Sequence, residues 1–534
     1  MDTSRRKAKA CDGCRFRKVK CHGSWPCTQC AHLNLACTFS TPPTSRRGRG
    51  RRGWLVAQLR GERKGDDGAE CQPRPHSPQA GSRSKPSQPT TCSFFLGLLP
   101  QYAEFVYPLN PIISPLEMEE AIGNMDQSSE DTALVHAFAA ITINRMRSSW
   151  ALHKGVAVQM TEFVRCSTRA HRTYELDWDD EKDDGILKPL PVTAKRILTC
   201  VFLSVCTLTL GRVDRSFAWL REGITMFQAL DFGQSFPGGP NNAARWQRIY
   251  WELFLHERHV ALLPSFGSVL PAPSWGPPVS DTTIPGHVDI GFRRLVNLFA
   301  ILDDKFLAHW RSQHNHSIKQ STESPLTTQW IEHKHKELDE DAAGTAEEER
   351  LSKDRGGSGL TELQHIDLVI TRLWLRTMLW QLALSQGLLA STTSSTNHEG
   401  LSFQFPINSL YAEFRSVFSR LQDVTSVGFH GMGMLEKLFE ITSTIADVMV
   451  VTSQSGQIED EDISRAEYLL FLFKFLAGFD AVASKQRNYL LEKLQAMKGM
   501  YTMIDFDDVV SNNSDGASGI DASPRSHHSP PWVE

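Results

Sequence analysis

This 534-residue chain has no apolar run of the ~20 residues that a membrane-spanning helix needs. Its most apolar stretch, Ile197 to Leu210, is shorter and is broken by Thr, Ser and Cys, so it reads as a buried helix. Met1 to Ala10 is polar and basic and lacks the apolar segment of a secretory signal. The expectation is an intracellular chain whose thiols stay reduced. Strand-like alternation of apolar and polar residues is scarce, and no repeat of solenoid length recurs. Beyond Ser93 there is no G-x-S-x-G, no Walker-type phosphate loop and no G-x-G-x-x-G. His256-Glu257-Arg258-His259 lacks the i,i+4 histidine spacing of the H-E-x-x-H zinc site. These gaps argue against a membrane protein and supply no catalytic constellation, so the expectation is a non-enzyme.

What is present is unevenly distributed. Hydrophobic residues are 40% of the chain and charged residues 22%, which excludes a wholly disordered polymer. The net charge is only −4, but residues 1–64 hold 16 Lys and Arg against 3 Asp and Glu, and the rest holds 41 against 58. A basic head on an acidic body points to a polyanionic partner for the head alone.

Cysteine divides the chain in the same place. Six of the 11 cysteines lie at Cys11, Cys14, Cys21, Cys27, Cys30 and Cys37, whereas Cys71, Cys92, Cys166, Cys200 and Cys206 are scattered. The pattern C-x2-C-x6-C occurs twice, 16 residues apart. Two equal halves suggest two metal ions. Each tetrahedral zinc takes four ligands, so six thiolates satisfy two ions only if two of them bridge. Cys11 and Cys27, the first cysteine of each half, are the natural bridges. After Cys14 come Arg15, Phe16, Arg17, Lys18, Val19 and Lys20, whereas the matching stretch after Cys30 carries no Lys or Arg. The basic half should face nucleic acid, where Lys and Arg neutralise phosphates and release counterions. A short helix after Cys14 would also bring one Lys to base edges in the major groove. His22 and His32 are expected at the surface, because the thiolates already satisfy both ions.

This head resembles the fungal zinc binuclear cluster family. The match is carried by Ala10-Cys11-Asp12-Gly13-Cys14-Arg15, Lys18-Val19-Lys20-Cys21, Pro26-Cys27, Gln29-Cys30 and Cys37. The resemblance implies a two-zinc core with Cys11 and Cys27 bridging. It also implies Lys18 over a CGG-type triplet, Arg15 and Lys20 near phosphates, and Pro26 in the loop between the halves.

The chain is expected to be mostly α: a zinc-binding head at 1–40, a linker at 41–92, an all-α regulatory body at 93–504 and a tail at 505–534. In the linker, Arg46, Arg47, Arg49, Arg51 and Arg52 suit an arm along phosphates or the minor groove, or a nuclear-import signal. Trp54 to Arg60 suits one or two helical turns. Gly61 to Thr91 reads as disordered, as does the tail. No heptads follow the linker, which favours a monomer or weak homodimer over a coiled-coil dimer.

Helical periodicity marks Ala133–Arg147, Thr193–Leu210, Phe217–Leu230, Arg245–Leu263, Gly291–His309, Leu363–Leu389, Ser409–Leu421, Leu435–Val451 and Ser464–Tyr501. The polar stretch 313–359, with His333 and His335, is expected to loop out with no apolar wall. Trp374 and Trp380 are expected in the core. Arg248 to Arg258 reads as an amphipathic helix and resembles a recurrent helix of the middle-homology regulatory domain that accompanies such clusters. Ile504 to Val510 alternates acid with apolar groups, as segments that fold onto a coactivator do, or it is an inert solvated tail. Ser523-Pro524 and Ser529-Pro530 are candidate phosphorylation sites.

The expected function is a nuclear, sequence-specific regulator that binds double-stranded DNA at GC-rich triplets through a head holding two Zn2+. It would recruit the RNA polymerase II machinery or a coactivator as an activator of a specialised-metabolite gene cluster. The alternative is control of carbon-source use (a sugar or quinate). A zinc knot that binds protein or RNA is the alternative class. A small-molecule effector between body helices is compatible with this reading, although no residue marks a pocket.

Overall fold

The computed structural model describes Cys21, Cys27 and residues 92–146, 154–176, 192–230, 242–263, 266–272, 276, 278, 280–314, 325–354, 359–390, 398–420, 427, 430–453, 460–477 and 484–501. The chain divides into two units, Met1–Pro86 and Ser87–Glu534. In the second unit the helices are α1 (Cys92–Leu96), α2 (Leu99–Phe105), α3 (Pro115–Asn124), α4 (Ser129–Arg145), α5 (Lys154–Leu176), α6 (Ala194–Thr209), α7 (Val213–Gln228) and α8 (Ala243–Val260). There follow α9 (Gly286–Ala300), α10 (Asp304–His314), α11 (Thr328–Asp354), α12 (Glu362–Ser385), α13 (Tyr411–Arg420), α14 (Met432–Ser453), α15 (Asp460–Ala477) and α16 (Ser484–Met500). Among the described residues there is no strand, only an isolated bridge between Ala390 and Ser402. The mostly-α expectation is met.

Local chemistry sets the helix starts. Ser114 Oγ accepts from Glu117 N at 3.2 Å while the Glu117 carboxylate accepts from Ser114 N at 2.8 Å, a reciprocal cap ahead of Pro115. Thr361 and Gln364 form the same device at the start of α12. Ser128 and Thr193 cap α4 and α6 through their hydroxyls. Gly211, at φ 70°, ends α6 where a side chain would be strained.

Packing places α4 against α5 and α6, and α6 against α7; further along, α12 packs on α14, α9 and α11. The run 197–210 is indeed a buried helix: Ile197 to Ser204 of α6 are buried without exception, so water reaches none of its faces there. Among the described residues no helix is long and apolar enough to cross a membrane. Trp374 and Trp380 are core residues, and Trp380 Nε1 donates to Ser402 O at 2.9 Å.

Three expectations need correction. First, the stretch 313–359 contributes α11, a 27-residue helix packed on α9 and α12 rather than a looped-out insert. Ile331, His335 and Leu338 line its buried face. Its charges fasten it: Arg372 Nη2 meets Asp341 Oδ2 at 2.7 Å, and Arg294 Nη2 meets Glu348 Oε2 at 2.8 Å. Gly344 leaves room for that clamp, since a Cβ there would lie 2.9 Å from Arg294 Nη1. Second, 291–309 is two helices, because the Asp303 carboxylate caps α10 by accepting from Phe306 N at 2.8 Å. The run 464–501 likewise divides into α15 and α16.

Third, α8 is buried over most of its surface rather than amphipathic. Arg258, fully buried, donates to Asp304 Oδ1 at 2.8 Å and Leu270 O at 2.9 Å. Glu257 accepts from Val269 N and Leu270 N, each at 2.8 Å, and from Arg221 Nη1 at 2.8 Å. Arg248 pairs with Asp281 and donates to Pro111 O. Buried charges persist only when paired in this way.

Candidate functional site

The cysteine cluster and the basic run belong to the unit Met1–Pro86. Of the residues expected to act there, the structure describes two. Cys27 is completely buried and Cys21 partly so. An all-thiol donor set suits zinc. Cys11, Cys14, Cys30, Cys37, Arg15, Arg17, Lys18, Lys20, Arg46, Arg47, Arg49, Arg51 and Arg52 lie outside the described residues, as do His22, His32, Trp54–Arg60 and the tail from 502 onward.

In the body, the titratable side chains serve mainly to join helices. His256 pairs with Glu252 at 3.1 Å, while His259 reaches Glu436 at 3.0 Å on α14, so the histidines of 256–259 diverge. Asp367 on α12, its side chain 13% exposed, meets the buried Lys437 on α14 at 3.2 Å. Burial alone would raise its carboxyl, but Lys437 and then His430 overcome this and hold it below the usual carboxylate range. A small cavity lined by Pro108, Leu109, Phe292, Gln364 and Asp367 has room for about one water molecule, far less than an effector pocket needs.

Sequence reading missed one constellation. His171, Cys200 and Glu222 bring their donor atoms within 4.8 Å of one another, the one such group among the described residues. They are separated by 29 and 51 positions from His171, so no motif announces them.

Comparison with known proteins bears on the head and on the whole chain. Residues 9–47 match the fungal Zn(2)-Cys(6) binuclear cluster domain. Transcription factor PDR1 of Saccharomyces cerevisiae is 56% identical over 34 residues, 6% of this chain and 3% of its own length. That match therefore covers little beyond the cluster. Maltose fermentation regulatory protein MAL63 of Saccharomyces cerevisiae is 21% identical over 463 residues, 83% of this chain and 85% of the relative. Probable sucrose utilization protein SUC1 of Candida albicans is 22% identical over 492 residues, 88% of this chain and 83% of the relative. No solved structure matches the chain. The six cysteines thus fall within a fungal Zn(2)-Cys(6) binuclear cluster domain, which binds two zinc ions.

Proposed function

We propose that this protein is a nuclear transcription regulator that recognises specific double-stranded DNA. The observation that carries this reading is the cluster domain at residues 9–47 beside a run of four cations in the six residues after Cys14. In this reading Cys11, Cys14, Cys21, Cys27, Cys30 and Cys37 hold two zinc ions, with Cys11 and Cys27 shared. The ions are structural: they supply folding energy to a segment too short to build an apolar core. Lys18 reads bases of a CGG-type triplet, while Arg15, Arg17 and Lys20 contact phosphates. Arg46, Arg47, Arg49, Arg51 and Arg52 extend the contact along the backbone. The acidic body stays off DNA by like-charge repulsion and acts as the regulatory part. The tail recruits a coactivator, which makes the protein an activator.

For the pathway, the carbon-source reading now takes precedence over the specialised-metabolite cluster. Two relatives that span more than four-fifths of this chain bear names tied to maltose fermentation and sucrose utilization. The genes proposed to be controlled are those for uptake and cleavage of a small saccharide.

Selection from random duplexes with the zinc-loaded full chain, at two salt concentrations, tests the first part. An enriched CGG-type triplet that survives the higher salt is expected. Binding without enrichment that vanishes at higher salt would favour a zinc knot for other partners. Comparing growth and transcripts on maltose, sucrose and glucose with and without the gene tests the second part. Indifference to sugar source would return the choice to the metabolite cluster.

A further inference from the structure

We propose that the helical body holds a metal site of its own, separate from the cysteine cluster, in which His171, Cys200 and Glu222 bind a borderline divalent cation of the zinc class. Each ligand comes from a different helix: α5, α6 and α7. His171 Nε2 lies 2.7 Å from Glu222 Oε1 and 3.8 Å from Cys200 Sγ. All three donor atoms fall within 4.8 Å of one another. Zinc–ligand bonds of 2.0–2.3 Å at tetrahedral angles place donors roughly 3.3–3.6 Å apart. The two edges at His171 come within well under an ångström of that spacing, the carboxylate needing to move outward and the thiol inward, and the Cys200–Glu222 edge lies within 4.8 Å.

The chemistry of the three groups favours an ion. One ring nitrogen faces both the carboxylate and the thiol, and a single nitrogen can offer only one proton or one lone pair. A cation at the centre engages the imidazole lone pair, a thiolate and a carboxylate together. Their charge of −2 then cancels that of the ion, which removes the cost of enclosing either alone. A thiolate–imidazole–carboxylate set selects zinc-class ions over Mg2+ or Ca2+, which prefer oxygen throughout.

The surroundings hold the ligands in place. His171 and Cys200 are buried, while the Glu222 side chain is 32% exposed and opens the site to solvent for ion entry and for a water as fourth ligand. Trp219 stands edge-on to the His171 ring, with centroids 5.5 Å apart, and limits its rotation. Gly223 permits the approach of α7 to α6, since a Cβ there would lie 3.3 Å from Cys200 Cβ. Such an ion would tie together three helices, two of which are also joined by the Ser204–Ser216 hydroxyl pair at 3.1 Å.

The test counts zinc in the intact chain by native mass spectrometry, before and after substitution. Wild type is expected to carry one more zinc than Cys200→Ser or Glu222→Gln, with helical circular dichroism unchanged. The difference of one is the readout, so it stands whatever the cysteine cluster contributes. Equal counts in wild type and Glu222→Gln would overturn the site. If Cys200→Ser loses helicity, Glu222→Gln carries the assignment, because its partly exposed side chain can change without opening the core.

Discussion

The imidazole of His335 lies against that of His398, with ring centroids 5.0 Å apart and planes 18° from parallel. His398 is anchored, its Nε2 3.0 Å from Asp339 Oδ2 and its Nδ1 accepting from Gly400 N at 3.0 Å. His335 is completely buried, edge-on to Phe405, with neither ring nitrogen hydrogen-bonded. Burial, then His398 and Arg376, push it well below the ordinary histidine value of 6.5. It is therefore neutral in the folded protein.

That neutrality predicts acid sensitivity. His136, His287 and His430 are also held below 6.5, in each case by burial first. The unfolded chain takes up protons below pH 6.5 that the folded chain refuses, so stability is full above that pH and falls as pH drops through it. His335, held well below, contributes a slope approaching about 1.4 kcal/mol per pH unit, and the other three contribute less. Denaturant unfolding at several pH values should show a decline below 6.5 that is shallower by one proton in His335→Phe. An unchanged slope would mean that His335 does not resist protonation.

Gly400→Ala should destabilise the body by about 1–3 kcal/mol, the usual cost of overpacking. A Cβ at this buried position would lie 2.5 Å from His335 Nε2. Adding His335→Ala should relieve part of that cost in a double-mutant cycle. Strict additivity would show that the ring is not what Gly400 accommodates.

Lys437→Met should cost about 2–4 kcal/mol, because it strands the carboxylate of Asp367, which is only 13% exposed. Lys437 Nζ reaches Asp367 Oδ1 at 3.2 Å and Thr371 Oγ1 at 2.6 Å. The ammonium also lies 5.7 Å from the Trp374 ring centroid. Equilibrium unfolding measures the loss, and Lys437→Met with Asp367→Asn should recover part of it. A loss under ~1 kcal/mol would indicate that water reaches Asp367.

On the DNA side, Lys18→Ala is expected to cost about 1–3 kcal/mol at the preferred triplet and to relax base choice. Arg51→Ala should weaken binding evenly across sequences and reduce the salt slope by about 1. Titrations against matched and mismatched duplexes at two salt concentrations separate these. An even loss for Lys18→Ala would reduce it to a phosphate contact.

The helices that periodicity located are those with a wide apolar stripe, such as α4, α6 and α12. Those it passed over have other ways of staying in place. Pro115–Asn124 is short and starts from a reciprocal cap. Lys154–Leu176 went unmarked, although α4 packs along it. Thr328–Asp354 has few apolar residues and is fastened by Arg294, Arg372 and Arg376. A charge run reads as a solvated surface until its partners are known, and these partners come from elements distant in sequence.

The metal-binding head was legible without coordinates, because thiolate ligands and phosphate-seeking cations are local, are spaced by short loops and have few other uses in that density. The all-α class was legible too, since helical periodicity is a property of neighbouring residues. What only the tertiary structure decided is which polar groups lose water. The isolation of His335 beside His398, the burial of Arg258, and the meeting of His171, Cys200 and Glu222 depend on helix packing over long sequence separations. Periodicity reports a helix's own faces, and it carries no information about which residue of another helix arrives opposite them.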